Sequence, residues 1–278
     1  MAGTLYLCAT PIGNLGDITV RVIEILKSVD IIAAEDTRNT LKLLNHFEIK
    51  TPMTSYHQHN MDTKGPVLIE KLKDGKNIAL VTDAGMPGIS DPGEDMAKRC
   101  RQEGIPVTIA PGASAGISAL VLSGMDARRY IFEGFLPTDK KERQTVLKNL
   151  EKETRTTVFY EAPHRLTDTL GVLLKAAGDR EASTVREITK KYEEVKHGTL
   201  GSLLEYYKEN PKGEFVVIVG GMSESVLRQE EIDGWNSISV EEHMKKYTDE
   251  GMSEKEAMKK VAKDRGVSKR EIYAYLNR

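Results

Sequence analysis

The chain opens on a short apolar run, Leu5-Tyr-Leu-Cys-Ala9, and repeats that pattern at Ile31–Ala34, Asn77–Val81 and Pro106–Ile109. Each run has strand length and is apolar at consecutive positions, as a strand buried on both faces requires. A weaker run, Met53–Tyr56, fits the same series. Between the runs lie Thr19–Val29, Asn39–Phe47, Pro66–Lys73 and Glu94–Gln102, each of helix length. This alternation predicts right-handed crossovers and an open parallel sheet with its ligand at the carboxyl ends of the strands.

Around Ser123-Gly-Met125 the rhythm changes. Tyr130–Phe135, Thr156–Tyr160, Thr184–Ile188 and Phe215–Val219 read as strands, with helices over Lys140–Lys152, His164–Ala177 and Ser202–Glu209. Some connections are too short for crossovers, so this second sheet is expected to be mixed. The fold class is therefore α/β, with domains at 1–120 and 121–225 meeting somewhere in 117–128, and a helical extension at 239–278. In the extension, Ser253-x-x-Glu256 and Ser268-x-x-Glu271 are both capping boxes. Gly266 stands where a left-handed residue would end the first helix. Val267 and Ile272 are spaced as a hydrophobic staple. Two short helices so joined look like a helix-turn-helix, with Lys259, Lys260, Lys263, Lys269 and Arg270 on their outer faces. A plain helical cap on the second domain is the other reading.

The 278 residues are 39% hydrophobic and 29% charged, which excludes a chain disordered throughout. No apolar run approaches the roughly 18 residues of a membrane span, and no basic segment precedes a signal-like stretch. Cys8 and Cys100 lie far apart, which suits a reducing compartment and argues against a disulfide framework. A soluble cytoplasmic protein is expected. The formal net charge of −2 conceals an uneven distribution, since Lys255 to Arg278 hold eight basic and three acidic groups. Such a tail is either a solvated helix face or a contact for a polyanion.

Candidate chemistry gathers at the strand ends. Thr82-Asp-Ala-Gly-Met-Pro-Gly-Ile-Ser-Asp-Pro-Gly93 leaves a buried strand and feeds a helix, with Asp91 suited to N-cap and Pro92 to the first helical position. Gly88 and Gly93 have the spacing of a phosphate loop, but Glu94-Asp95 replace the lysine and hydroxyl that loop needs. A glycine-rich cradle with acidic groups suits a ligand without phosphates, one bearing positive charge. Glu35–Arg38, Ala110–Ala115, Tyr160–Arg165 and Arg186–Lys191 place further polar groups at strand ends. His57-Gln-His59 lacks a third ligand at useful spacing, so no metal site is expected. No G-x-S-x-G elbow is present, and Gly112-Ala-Ser-Ala-Gly116 shares only part of it, which disfavours acyl chemistry.

Taken in order, eight segments resemble one family. They are Ala9-Thr-Pro-Ile-Gly-Asn-Leu-Gly-Asp17, Glu35-Asp-Thr-Arg38, Ser55-Tyr-His57, Val81–Gly93, Pro111-Gly-Ala-Ser-Ala115, Phe132-Glu-Gly-Phe-Leu-Pro137, Phe159-Tyr-Glu-Ala-Pro-His-Arg-Leu166 and Arg186-Glu-Ile-Thr-Lys190. They look like the ribosomal RNA small subunit methyltransferase I family, of the tetrapyrrole methylase superfamily, over roughly residues 4–221. The resemblance implies two α/β domains, usually a homodimer, with S-adenosylmethionine in the interdomain cleft. It implies methylation of a cytidine ribose 2′-hydroxyl in the decoding region of small-subunit (16S) ribosomal RNA. Carried over by position, the cofactor residues are Ile12, Asp83, Ala84, Gly85, Met86, Ile89, Ser114 and Ala115, with Glu161 and Ile188 from the second domain. A ribose hydroxyl reacts better once a base accepts its proton. Glu161 is one candidate, and Lys190 another if a cationic neighbourhood lowers its pKa; Glu35 and Asp36 are weaker ones. Arg38 is cast as a phosphate contact, alongside Lys259, Lys260, Lys269 and Arg270 of the tail. A tetrapyrrole or other small-molecule methylase of the superfamily and a non-catalytic RNA-binding protein are the alternatives.

Overall fold

The computed structural model describes residues 1–209 and 211–277; Arg278, the last residue of the expected extension, lies outside them. The first layer runs β1 (Leu5–Cys8), α1 (Val20–Ser28), β2 (Ile31–Ala34), α2 (Thr37–His46), β3 (Met53–Ser55), α3 (Met61–Lys73), β4 (Ile78–Val81), α4 (Gly93–Gln102) and β5 (Val107–Ala110). All strand pairs in it are parallel, in the order β3-β2-β4-β1-β5. Consecutive side chains of a strand point to opposite faces, so two cores form. Leu5, Ile78 and Leu80 pack with Leu68, Leu72 and Met96 on one face, while Cys8, Ala79 and Val81 pack with Val22, Leu26 and Leu44 on the other. The crossover leaving β1 runs toward β2 and that leaving β4 runs toward β5, in opposite directions across the sheet. The loops after these two neighbouring strands therefore part, and a crevice opens at their carboxyl ends.

The second layer runs α5 (Ala115–Ser123), β6 (Tyr130–Phe135), α6 (Lys140–Glu151), β7 (Thr156–Glu161), α7 (Leu166–Ala177), β8 (Glu181–Arg186), β9 (Glu194–Thr199), α8 (Leu200–Tyr206) and β10 (Phe215–Val219). Its order is β6-β7-β10-β8-β9, with β6 and β7 parallel and the other pairs antiparallel, a mixed sheet as expected. Phe159, Phe215, Val217 and Val219 face α7 and α8, whereas Val158, Val185, Val216 and Ile218 face α5 and the first layer's Ile12.

Three local departures have physical causes. Helix α5 leaves no amphipathic signature because it is apolar nearly all round; Ala119 and Leu120 pack on the second sheet while Ile117, Val121 and Leu122 are exposed. Strand β9 is a sheet edge carrying Glu194, Lys196 and His197, so no apolar run announces it. The strand expected at Thr184–Ile188 instead ends at Arg186, because the backbone turns at Glu187 (φ 51°) and Thr189 (φ 66°).

Beyond β10 come α9 (Glu224–Asn236), α10 (Val240–Asp249), α11 (Glu254–Asp264) and α12 (Lys269–Leu276). Both expected capping boxes form, and a third, Ser239 with Glu242, starts α10. The pair α11–α12 is one part of a bundle whose core is Val240, Met244, Tyr247, Ala257, Val261 and Ile272. Among the described residues no helix is long and apolar enough to cross a membrane.

Candidate active site

A cavity of about 430 Å³ lies between the layers, at the carboxyl ends of β1, β4 and β5. The loop after β1 contributes Ile12; the loop after β4 contributes Thr82, Ala84, Gly85, Met86, Ile89, Ser90 and Asp91; the start of α5 contributes Ser114 and Ala115. The opposite wall holds Phe135, Tyr160 to Pro163, Ile188, Lys190 and Glu214 to Val216.

The glycine-rich loop is held by its own carboxylate. Helix α4 begins at Gly93, so Asp91 lies one residue outside the N-cap position expected of it. From there its oxygens accept from Gly88 N at 2.8 Å, Ile89 N at 3.1 Å and Gly93 N at 2.8 Å. Gly85 pairs its backbone with Thr10 in both directions, at 2.9 and 3.1 Å, and has φ +82°. A Cβ there would lie 3.3 Å from Ile12 Cγ2 and 3.4 Å from the Ala113 carbonyl oxygen, so only glycine seats this turn without strain.

Of the expected cofactor residues, Ile12, Ala84, Gly85, Met86, Ile89, Ser114, Ala115, Glu161 and Ile188 all line this one cavity. Asp83 does not. Its carboxylate accepts from Asp36 N at 3.1 Å and Asn39 Nδ2 at 3.2 Å, and it lines a separate depression beside Thr10 and Gly13.

Glu161 ends β7 at the cavity, but its side chain is fully buried. One oxygen accepts from Ala162 N at 2.8 Å and the other from the Thr169 hydroxyl at 2.5 Å, with Arg165 Nε 3.6 Å away. A carboxylate so engaged fixes the turn into α7. Lys190 reaches the cavity, but its surroundings are the reverse of those needed to lower its pKa. Its ammonium lies 3.0 Å from Glu187 and 2.8 Å from Glu214. Burial pulls its pKa down, yet the hydrogen bonds to Glu214 and Glu187 outweigh it and leave the group above the ordinary lysine value. Its stem fills the space that Gly13 leaves bare, where a Cβ would lie 2.5 Å from Lys190 Cγ. Glu35 lines the cavity and accepts from the Thr82 hydroxyl at 2.6 Å. Asp36 and Arg38 pair with each other in solvent at 2.7 Å, and the bonds from Arg38 hold the Asp36 carboxyl at about 2. Arg38 is outside the cavity.

Lys259, Lys260, Lys269 and Arg270 are exposed on α11 and α12, as is Lys263. Lys260 comes within 3.8 Å of Asp264. Among the described residues, no group of three or more His, Cys, Asp or Glu side chains is placed to hold a metal ion.

Tyr160, Phe135, Glu214, Phe215 and Val216 line the cavity without having been singled out from the sequence as site residues. Tyr160 and Phe135 fall inside segments that resemble the family. Glu214 to Val216 carry no local signal; they arrive because β10 runs antiparallel to β7 and brings its first residues to the end of that strand.

Comparison with known proteins places the chain in a family. The profile of the tetrapyrrole (corrin/porphyrin) methylases matches residues 4–204. The chain is 51% identical over 272 residues to ribosomal RNA small subunit methyltransferase I of Halalkalibacterium halodurans, covering 98% of this chain and 93% of that one. It is 48% identical to the protein of that name from Bacillus subtilis, with the same coverage. Among solved structures it is similar to a diphthine synthase, with TM-score 0.63 and 16% identity over 79% of this chain and 90% of that one, a likeness of fold.

Proposed function

The chain belongs to the tetrapyrrole methylase family and, within it, to the ribosomal RNA small subunit methyltransferase I group, and from that premise we propose that it methylates a cytidine ribose 2′-hydroxyl in the decoding region of small-subunit ribosomal RNA. It is an S-adenosylmethionine-dependent methyltransferase. The observation that carries the reading is the interdomain cavity that gathers the glycine-rich turn of one layer and the β7 and β10 ends of the other.

The residues present fit the donor. Glycine at Gly85 removes a Cβ where two loops meet, the wall of Ile12, Ala84, Met86, Ile89 and Ile188 is apolar, and Glu35, Asp91 and Glu214 lie around it against one lysine. That balance favours a cationic ligand over a phosphate. When bound, S-adenosylmethionine supplies a methyl group on a sulfonium, whose positive charge disappears on transfer. The protein's contribution is then alignment and exclusion of water. Ile12, Ala84, Gly85, Met86, Ile89, Ser114, Ala115 and Ile188 hold the donor; Asp83 acts from behind, fixing the start of α2 through Asp36 and Asn39. Glu161 positions the Ala162–Arg165 turn. Lys190, kept charged by its two carboxylates, is a cation for the acceptor's backbone rather than a proton acceptor.

Arg38 and the exposed Lys259, Lys260, Lys269 and Arg270 are assigned to phosphates of the RNA. A homodimer is supported by the apolar residues left on β5 and α5: Val107, Ile109, Val121 and Leu122 are 39%, 46%, 69% and 41% exposed. Light scattering in solution checks this association. The activity is tested by incubating the protein with labelled donor and small ribosomal subunits and mapping the modified nucleotide. Label on the ribose of one cytidine is expected. Label on protein or on a tetrapyrrole overturns the assignment.

A further inference from the structure

A second cavity, of about 360 Å³, adjoins the first. Ile89, Ser90, Ser114 and Tyr160 are common to both, so the two share a wall. The remainder of the second is Gly88, Gly116, Ile117, Tyr130 and Phe132. Phe132 packs edge-on against Tyr160 at 5.0 Å between centroids, and Phe135 meets the same ring at 5.7 Å from the donor side. Tyr160 is fixed in turn, its hydroxyl accepting from Gly116 N at 3.1 Å. Yet Tyr130 and Phe132 are each 37% exposed and Phe135 is 50% exposed. Rings left partly in water on an edge strand, beside a cavity, are surface waiting for a flat partner.

The geometry points to this aromatic edge of β6 as the subsite for the base of the acceptor nucleotide. The assignment rests on the ribosomal RNA reading above. Methyl transfer needs the acceptor next to the donor, and the two cavities share the wall formed by Ile89, Ser90, Ser114 and Tyr160. A base placed on Phe132 and Tyr130 leaves its ribose at that wall, where the Ser114 hydroxyl makes no capping bond to its own helix. Ser90, held at φ 66°, is the second serine there. Proteins that read unpaired RNA stack its bases on such rings. The exposed Arg128 and Arg129 precede Tyr130 along the same edge, where the flanking phosphates would pass. Gly116 protects the platform, because a Cβ there would lie 3.1 Å from Phe132 Cε2 and 3.3 Å from the Tyr160 hydroxyl.

The test is binding of a short oligocytidylate to the full-length protein saturated with S-adenosylhomocysteine, at one fixed salt concentration. Phe132→Leu is expected to weaken it by roughly 5- to 150-fold, the range for loss of one stacked base, while Phe132→Trp retains it. Gly116→Ala gives a second route to the same loss by displacing the ring. Affinity for S-adenosylhomocysteine, measured by calorimetry, stays unchanged in the two Phe132 variants. Unchanged oligonucleotide affinity in Phe132→Leu, or no saturable binding by the unsubstituted protein, overturns the subsite. So does a Phe132→Leu protein that loses self-association by light scattering while keeping its oligonucleotide affinity, since the rings then face a second copy. Failure of the unsubstituted protein to methylate small subunits, with the stacking results as expected, would instead remove the ribosomal RNA reading and leave the base subsite standing.

Discussion

Gly85 is where fold and ligand site meet, and its substitution separates the two. At φ +82° an L-residue pays about 1–2 kcal/mol for the left-handed backbone. For a chain of this size, that lowers the melting temperature by roughly 2–8 °C. The Cβ of Gly85→Ala fits with small shifts, since its nearest neighbours are Ile12 Cγ2 at 3.3 Å and the Ala113 carbonyl oxygen at 3.4 Å. Gly85→Val adds two methyl groups to a contact already that tight, and overpacking of this kind costs about 1–3 kcal/mol. The loops that must yield are the ones that line the donor cavity, so this cost falls on binding. Calorimetric titration with S-adenosylmethionine should show Gly85→Ala close to the unsubstituted protein and Gly85→Val weaker by roughly 5- to 150-fold. Thermal unfolding should stay cooperative in both. A Gly85→Val protein with full donor affinity would take this turn out of the site. A loss of affinity accompanied by loss of cooperative unfolding would show that the turn serves the fold alone.

Other outcomes follow from the same contacts. Lys190→Met should raise KM for the RNA and leave the pH profile of kcat unchanged, with Lys190→Arg close to the original; a loss of about 10²- to 10⁴-fold in kcat with disappearance of a titrating limb would restore Lys190 as a base. Removing the C-terminal bundle should weaken RNA methylation more than donor binding. The cut belongs before Ser223, because Trp235 of α9 stacks on His243 of α10 at 3.9 Å and would otherwise be left bare; equal loss of both activities would make the bundle a prop for the fold. Burial first, and Arg265 second, hold the His243 pKa below its ordinary 6.5. The unfolded chain therefore takes up the proton first, and the bundle's stability is full above that pH and falls as pH drops below it, by up to about 1.4 kcal/mol per unit. Emission from Trp235, the single tryptophan, follows this unfolding; an undiminished pH slope in His243→Phe would assign the dependence to other groups.

Much of the candidate site was legible because its residues are contiguous in the chain. The turn from Thr82 to Gly93 declares itself by glycines after an apolar run, and the absence of a lysine in it already argued for a ligand without phosphates. Lys190 shows the opposite case. Glu187 lies three residues away, but Glu214, the second carboxylate on its ammonium, is brought there by the pairing of β10 with β8. Asp83 likewise looked like part of the cradle by position, and its hydrogen bonds to the start of α2 turn it away. Helix α5 and strand β9 escaped notice because one lacks a polar face and the other an apolar one.

Local hydrophobic pattern and turn chemistry, which act over a few residues, by themselves determined the parallel first layer, the glycine-rich turn and the capped helices of the tail. Only the tertiary structure decided which side chains face the cavity, because that depends on strand order and on the antiparallel return of β10, set by the burial of Phe215 to Val219 between two helical layers. It alone decided the pairing of Lys190 with Glu214 and the exposure of Tyr130 and Phe132, since both follow from neighbours distant in the chain.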